Sequence, residues 1–118
     1  MNHNTDLGSQ GESLAAEYLE LRGLSLLQQN WRGKSGEIDL VMQSAEEIVF
    51  VEVKTRRTML YGDPLSAVTA QKLQRIHRLA EEWQHEQQRR VRYRIDIVGI
   101  VFDGTDKPSF EHLERVMV

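Results

Sequence analysis

The chain has 118 residues, 28% of them charged and 40% hydrophobic, with a net charge of −3, which points to one domain over residues 1–118, large enough for a single core and with little room for a second module. It contains no cysteine, so a disulfide framework and a thiolate metal site are both excluded. Met1 to Gly8 is polar and no later stretch is apolar enough to span a bilayer, so the expectation is a cytoplasmic protein with no membrane partner.

Gly11-Glu12 opens an amphipathic segment in which Leu14, Ala15, Tyr18, Leu19 and Leu21 recur at helical spacing, with Gly23 as its stop. Leu24 to Arg32 reads as a first strand. Two further short runs rich in Val, Ile and Phe follow, 36–43 and 48–55, separated by the polar stretch Gln43 to Glu47. A hairpin centred between Ala45 and Glu46 pairs residues whose numbers sum to 91, setting Asp39 opposite Glu52 and Glu37 opposite Lys54. Val49, Phe50, Val51 and Val53 make both faces of the second run apolar, as in a central strand covered on both sides. Charges at the end of such a strand are expensive unless they are paired or bind an ion. Opposed carboxylates repel unless something cationic lies between them, and Mg²⁺ or Mn²⁺ is a natural occupant of an all-oxygen site. The simpler account is a solvated rim, with Glu37 and Lys54 forming an ordinary cross-strand ion pair.

Arg57 to Leu65 reads as a loop closed by Tyr61-Gly62-Asp63-Pro64, placed to gate a substrate. Thr69 then caps a helix whose stripe of Leu73, Ile76, Ala80 and Trp83 belongs in the core. Gln71, Arg75 and Arg78 lie on another face with Lys72 beside them, and His77 and His85 have no partner at metal-ligand spacing. Arg92 to Phe102 reads as a long strand in which Asp96 shares a face with Val98 and Ile100. Asp103-Gly104 turns the chain into a last strand around Phe110 to Val116. A helix between the third and fourth strands permits a parallel crossover. The expected class is α/β, a mixed central sheet flanked by helices in the order α-β-β-β-α-β-β.

The motifs Gly36-Glu37-Ile38-Asp39-Leu40-Val41 and Val49-Phe50-Val51-Glu52-Val53-Lys54-Thr55-Arg56 together resemble the PD-(D/E)xK nuclease superfamily, the restriction-endonuclease-like fold that includes Holliday junction resolvases. A closer resemblance, to the YraN-like family of small uncharacterised bacterial proteins, spans most of the chain. It includes Gly11-Glu12, Asn30-Trp31-Arg32, Tyr61-Gly62-Asp63-Pro64, Ala67-Val68, Lys72 and Arg94-Ile95-Asp96-Ile97-Val98. Ile38, where the wider signature has proline, is a departure shared by diverged members. The resemblance implies phosphodiester hydrolysis, with Asp39, Glu52, the Val53 carbonyl and Glu12 as metal ligands and Asp39, Glu52 and Lys54 as the catalytic set. Lys54 would orient the attacking water rather than deprotonate it, since neighbouring carboxylates favour the charged ammonium. A carboxylate in a first helical turn is ordinarily macrodipole compensation, so Glu12 rests on the resemblance alone.

An acidic chain is at first sight a poor partner for nucleic acid, yet the charge is unevenly spread. Residues 54–94 carry +6, flanked by −6 and −3. Lys54, Arg56 and Arg57, then Lys72, Arg75 and Arg78, then Arg89, Arg90, Arg92 and Arg94, would form a phosphate-binding rim if they converge. Of these, with Gln71, the candidate DNA contacts are Lys54, Arg56, Arg57, Lys72 and Arg75. The sequence reading is a Mg²⁺-dependent nuclease for DNA, branched or otherwise structured, acting as a homodimer if it cuts two strands. A non-catalytic nucleic-acid-binding module and an interaction protein with a solvated acidic rim are the alternatives.

Overall fold

A strand apolar on both sides is stable only where both sides are covered. The computed structural model describes residues 3–58, 60, 62–104 and 107–117, with 3–6 as backbone alone, and puts that strand in the middle of a five-stranded sheet. Met1, Asn2, Met59 and Tyr61, which fall within the predicted polar start and loop, lie outside the described residues. The elements are α1 (His3–Leu21), β1 (Ser25–Gly33), β2 (Gly36–Gln43), β3 (Ile48–Arg56), a 3₁₀ turn at Pro64–Ala67, α2 (Ala70–Gln87), β4 (Tyr93–Val101) and β5 (Ser109–Leu113). Strands neighbour one another in chain order, and all pairs are antiparallel except β3 with β4. Because α2 lies between β3 and β4 in the chain, it is the crossover that lets them run parallel. The order and the mixed sheet are those expected of the restriction-endonuclease-like fold.

The sheet divides the interior into two cores. On one side Phe50, Ile38, Val41, Ile95 and Ile97 pack against Leu73, Ile76, Leu79 and Trp83 of α2. On the other, Leu40, Met42, Val49, Val51, Val98 and Ile100 pack against Ala15, Ala16 and Leu19 of α1. Each large apolar side chain buried this way contributes about 1.5–3 kcal/mol. Trp83 is a core residue, 2% exposed, and its indole N–H donates to Gln28 at 2.6 Å. Thr69 caps α2 by accepting from the Lys72 amide at 3.2 Å, and Asp63 caps the 3₁₀ turn by accepting from Leu65 at 2.9 Å.

Two boundaries differ from the sequence reading. Helix α1 begins at His3, not at Gly11, because the apolar stripe marks only the part that faces the sheet. Glu12 therefore sits in mid-helix, where macrodipole compensation does not account for it. Strand β5 ends at Leu113 because Arg115 adopts a left-handed backbone, φ 52°, and directs its N–H to Asp96 at 2.9 Å. Asp96 lies on the α1 side with Val98 and Ile100, as read from the sequence, and is fully buried. It also accepts from Arg94 Nε at 3.1 Å and meets His112 Nε2 at 2.9 Å. Glu47 closes the network, pairing with both Arg94 and Arg115.

Candidate metal centre

The β2–β3 register matches the expected one from Gln43↔Ile48 to Leu40↔Val51. There the ladder stops. Asp39 and Glu52 are not a backbone pair; instead the Asp39 carboxylate accepts the Val53 N–H at 2.8 Å, taking the place of a main-chain acceptor between the strands. The cause is a local reversal of facing. Residues two apart on a regular strand share a face, yet Ile38 belongs to the α2-side core and Leu40 to the α1-side core. The chain turns over at Asp39, and its carboxylate enters the gap towards β3. On the other edge of β2, in β1, Asn30 has a left-handed φ of 54° between the paired residues Gln29↔Leu40 and Trp31↔Ile38.

On the α1 side, Glu12, Glu37 and Asp39 each bring a carboxylate oxygen within 4.8 Å of the others. Glu12 gets there because α1 lies close over β3 at Gly11. A Cβ on that glycine would stand 2.2 Å from the Thr55 methyl, so any side chain there would force Thr55 to turn or the helix to lift. The Asn30 amide donates to Glu12 at 2.8 Å and to Glu37 at 2.9 Å, and Arg32 pairs with Glu37 at 3.0 Å. The expected Glu37–Lys54 ion pair is absent among the described residues. Once β2 turns over at Asp39, Glu37 faces α1, whereas Lys54 follows Phe50 and Glu52 onto the α2 side.

On that side Lys54 Nζ lies 3.3 Å from Glu52, whose side chain is nearly buried. Lys72, from the first turn of α2, donates to the Ala67 carbonyl at 3.0 Å. Its pKa is lowered, first by the charge of Lys54 and then by burial. Gln71 and Arg75 are exposed on the same helix, and Arg56 and Arg57 end β3. The third basic run does not join them. Arg94 pairs with Val49 near the start of β3, whereas Gly99 pairs with Lys54, a separation of about 16 Å at strand rise. There Arg94 is held by Asp96 and Glu47, and Arg90 by Glu81 at 2.6 Å on α2.

The electrostatics of the centre are those of uncompensated negative charge. The Asp39 carboxyl is pushed up to about 8, first by burial, then by Glu52 and Glu12; the Val53 N–H and Lys54 pull the other way without prevailing. Glu12 is raised as well, mainly by burial and by the charges of Glu37 and Glu52. A buried carboxylate with such neighbours must either take up a proton or meet a cation. The donors are all hard oxygens, which suits Mg²⁺, Mn²⁺ or Ca²⁺. Glu12, Glu37 and Asp39 form the close carboxylate cluster; Glu52, on the α2 side with Lys54, acts on Asp39 and Glu12 through its charge, and Val53 enters through its N–H. Sequence reasoning passed over the Asn30 side chain and underrated Glu37. The available signal was an asparagine inside a strand, where that residue is depleted.

The signature of the Uncharacterised protein family UPF0102 matches residues 11–100, a span that contains every one of these groups. The chain is similar to the UPF0102 protein of Rhodococcus opacus (strain B4), 46% identical over 114 residues that cover 96% of this chain and 97% of that protein. It is also similar to those of Clavibacter michiganensis subsp. michiganensis (strain NCPPB 382), 47% over 112 residues covering 94% and 95%, and Arthrobacter sp. (strain FB24), 44% over 111 residues covering 93% and 94%. The chain thus belongs to the UPF0102 family, the YraN-like family that its strand motifs resembled.

Proposed function

We propose that this protein is a Mg²⁺- or Mn²⁺-dependent nuclease that hydrolyses phosphodiester bonds in DNA. The observation that carries the reading is Asp39: its carboxylate enters between two strands within 4.8 Å of carboxylate oxygens of Glu12 and Glu37, and burial with the charges of Glu52 and Glu12 pushes its pKa up to about 8. Asp39, Glu52 and Glu12 would hold the ion, with the Val53 carbonyl as a further oxygen donor. When bound, a divalent ion supplies Lewis-acid polarisation of a phosphoryl oxygen and a lowered pKa for water.

The remaining steps fall to the chain's own groups. At neutral pH the raised pKa keeps Asp39 largely protonated, and a bound cation would favour its ionised form. Glu52 anchors the Lys54 ammonium at 3.3 Å, at the edge of the gap, where it would orient the attacking water and stabilise charge developing on phosphorus. Lys72, Gln71 and Arg75 on α2, with Arg56 at the end of β3 and Arg57 just past it, would contact backbone phosphates and set the strand's register without reading its sequence. Branched or structured DNA is the substrate class suggested by the resolvase-like arrangement, and a symmetric pair of these domains is the simplest way to cut two strands.

The test is purified protein with Mg²⁺ or Mn²⁺ and a panel of linear, flapped and four-way DNA, alongside Glu52→Ala and Lys54→Ala. Metal-dependent cleavage that falls about 10²–10³-fold in either variant supports the reading. Salt-sensitive DNA binding without cleavage would make the protein a binding module instead, and neither metal binding nor DNA affinity would leave only an interaction role. Sedimentation of the free and DNA-bound protein tests the pairing.

A further inference from the structure

Asn30 is the residue whose chemistry the site has not yet used. One explanation of its left-handed backbone is conformational: β1 must turn over opposite Asp39, and asparagine tolerates that region better than most residues. Glycine would do so with less strain. What glycine would not supply is the side-chain amide. Both Nδ2 hydrogens are engaged, one on Glu12 Oε1 at 2.8 Å and one on Glu37 Oε1 at 2.9 Å. One NH₂ group therefore joins a carboxylate of α1 to a carboxylate of β2, two groups that would otherwise repel.

The two carboxylates are not held alike. Glu37 is fixed through both oxygens, Oε1 by Asn30 and Oε2 by Arg32 at 3.0 Å. Glu12 receives the Asn30 amide on Oε1, accepts a further hydrogen bond from the Gln29 side chain and interacts directly with Asp39. The order of contacts runs from Arg32 through Glu37 and Asn30 to Glu12 and Asp39. A group held at both oxygens serves better as a strut than as a ligand free to follow an ion.

We propose that Asn30 is a positioning residue of the cation centre, aiming Glu12 at the ion held by Asp39, and that Glu37 acts through Asn30 as its support. This rests on the reading of the gap as a divalent-cation site. It places the β1 turnover in the service of the site: the left-handed residue lets the strand reverse its facing and carries the amide to the α1 side in one step. Partners that orient metal ligands are typically worth 10–100-fold in affinity.

The experiment measures Mn²⁺ binding to the full chain by calorimetry and by the electron paramagnetic resonance signal of the bound ion, in the unsubstituted protein, Asn30→Gly, Glu37→Ala and the double variant. Glycine keeps the left-handed backbone available, so Asn30→Gly isolates the amide. The expected result is an affinity loss of about tenfold or more in Asn30→Gly, with the double variant no weaker than Asn30→Gly alone, because residues acting in series are not additive. Mn²⁺ affinity unchanged in Asn30→Gly would overturn the proposal while leaving the cation site standing. Losses that multiply in the double variant would also overturn it, by making Glu37 an independent ligand. If the unsubstituted protein binds no Mn²⁺, the cation reading and this proposal fall together.

Discussion

Asp39 and Asp96 are both interior aspartates flanking β3, and they have opposite fates. Asp96 is fully buried, and burial alone would raise its pKa; the His112 hydrogen bond, the Arg115 N–H and the Arg94 charge outweigh that and hold it below the usual carboxylate range. Asp39 has one backbone N–H and a nearby lysine, set against burial and the carboxylates of Glu52 and Glu12, and is driven up to about 8. The fold thus supplies enough internal partners to offset the burial of Asp96 and too few to offset the burial and crowding of the half-buried Asp39. Structural acids are compensated by the chain; an acid left uncompensated, in a gap with further carboxylates, points to something the chain expects to bind.

Whether the chain compensates Asp96 and not Asp39 can be measured, beginning with the strongest expected change. Asp96→Ala should cost about 3–5 kcal/mol in chemical denaturation, since it leaves Arg94 and His112 without their buried partner. Adding Mg²⁺ at a hundred times its dissociation constant should stabilise the unsubstituted protein by about 2.7 kcal/mol at pH 8 or above. That gain should shrink as pH falls and protons compete for Asp39. In the metal-free protein the two aspartates also push stability in opposite directions with pH. Asp39, with its folded pKa above 3.8, binds a proton that the unfolded chain releases, so its contribution to stability falls as pH rises from about 4 to about 8. Asp96, with a lowered pKa, stabilises above the ordinary value and loses that contribution as pH drops through its folded value. Thermal scans across pH 3–9 with and without Mg²⁺ separate the two.

Next in size, Asp39→Asn should raise metal-free stability by about 0.5–2 kcal/mol, the usual gain when a functional site is neutralised, while abolishing the Mg²⁺ effect. A destabilised Asp39→Asn would put Asp39 in the same class as Asp96. Smallest, Lys72→Ala should leave stability within about 0.5 kcal/mol and reduce the salt dependence of DNA binding by about one unit of slope. An unchanged slope would remove α2 from the DNA contact surface.

The parts of this arrangement that were legible in the sequence are those governed by local pattern. Polar residues between two β-rich runs set the hairpin register, and Val49, Phe50, Val51 and Val53 marked the central strand. Thr69 and the stripe from Leu73 to Trp83 fixed α2 and its inward face. What periodicity did not reveal was where a pattern breaks. The facing reversal at Asp39 and Asn30 comes from a left-handed residue that only the paired strands make visible, and it moved Glu37 from the Lys54 side to the Glu12 side. The compensation of Asp96 was equally hidden, because His112 and Arg115 lie far along the chain and reach it only when β5 docks on β4. The third basic run was misplaced for a similar reason: proximity in sequence to Lys54 says nothing about which end of a parallel strand a residue occupies.

The close approach of α1 to β3 at Gly11 bears on which ion the site would prefer. Glu12 rides on a helix whose height above the sheet is limited by a glycine against the Thr55 methyl, so the width of the coordination gap is set by backbone packing rather than by the reach of a carboxylate. Mg²⁺ and Ca²⁺ differ by a few tenths of an ångström in ligand distance, the scale on which a single methyl group at position 11 would raise the helix. On the proposed cation-site reading, ionic radius selectivity would be tuned from a residue that never touches the metal.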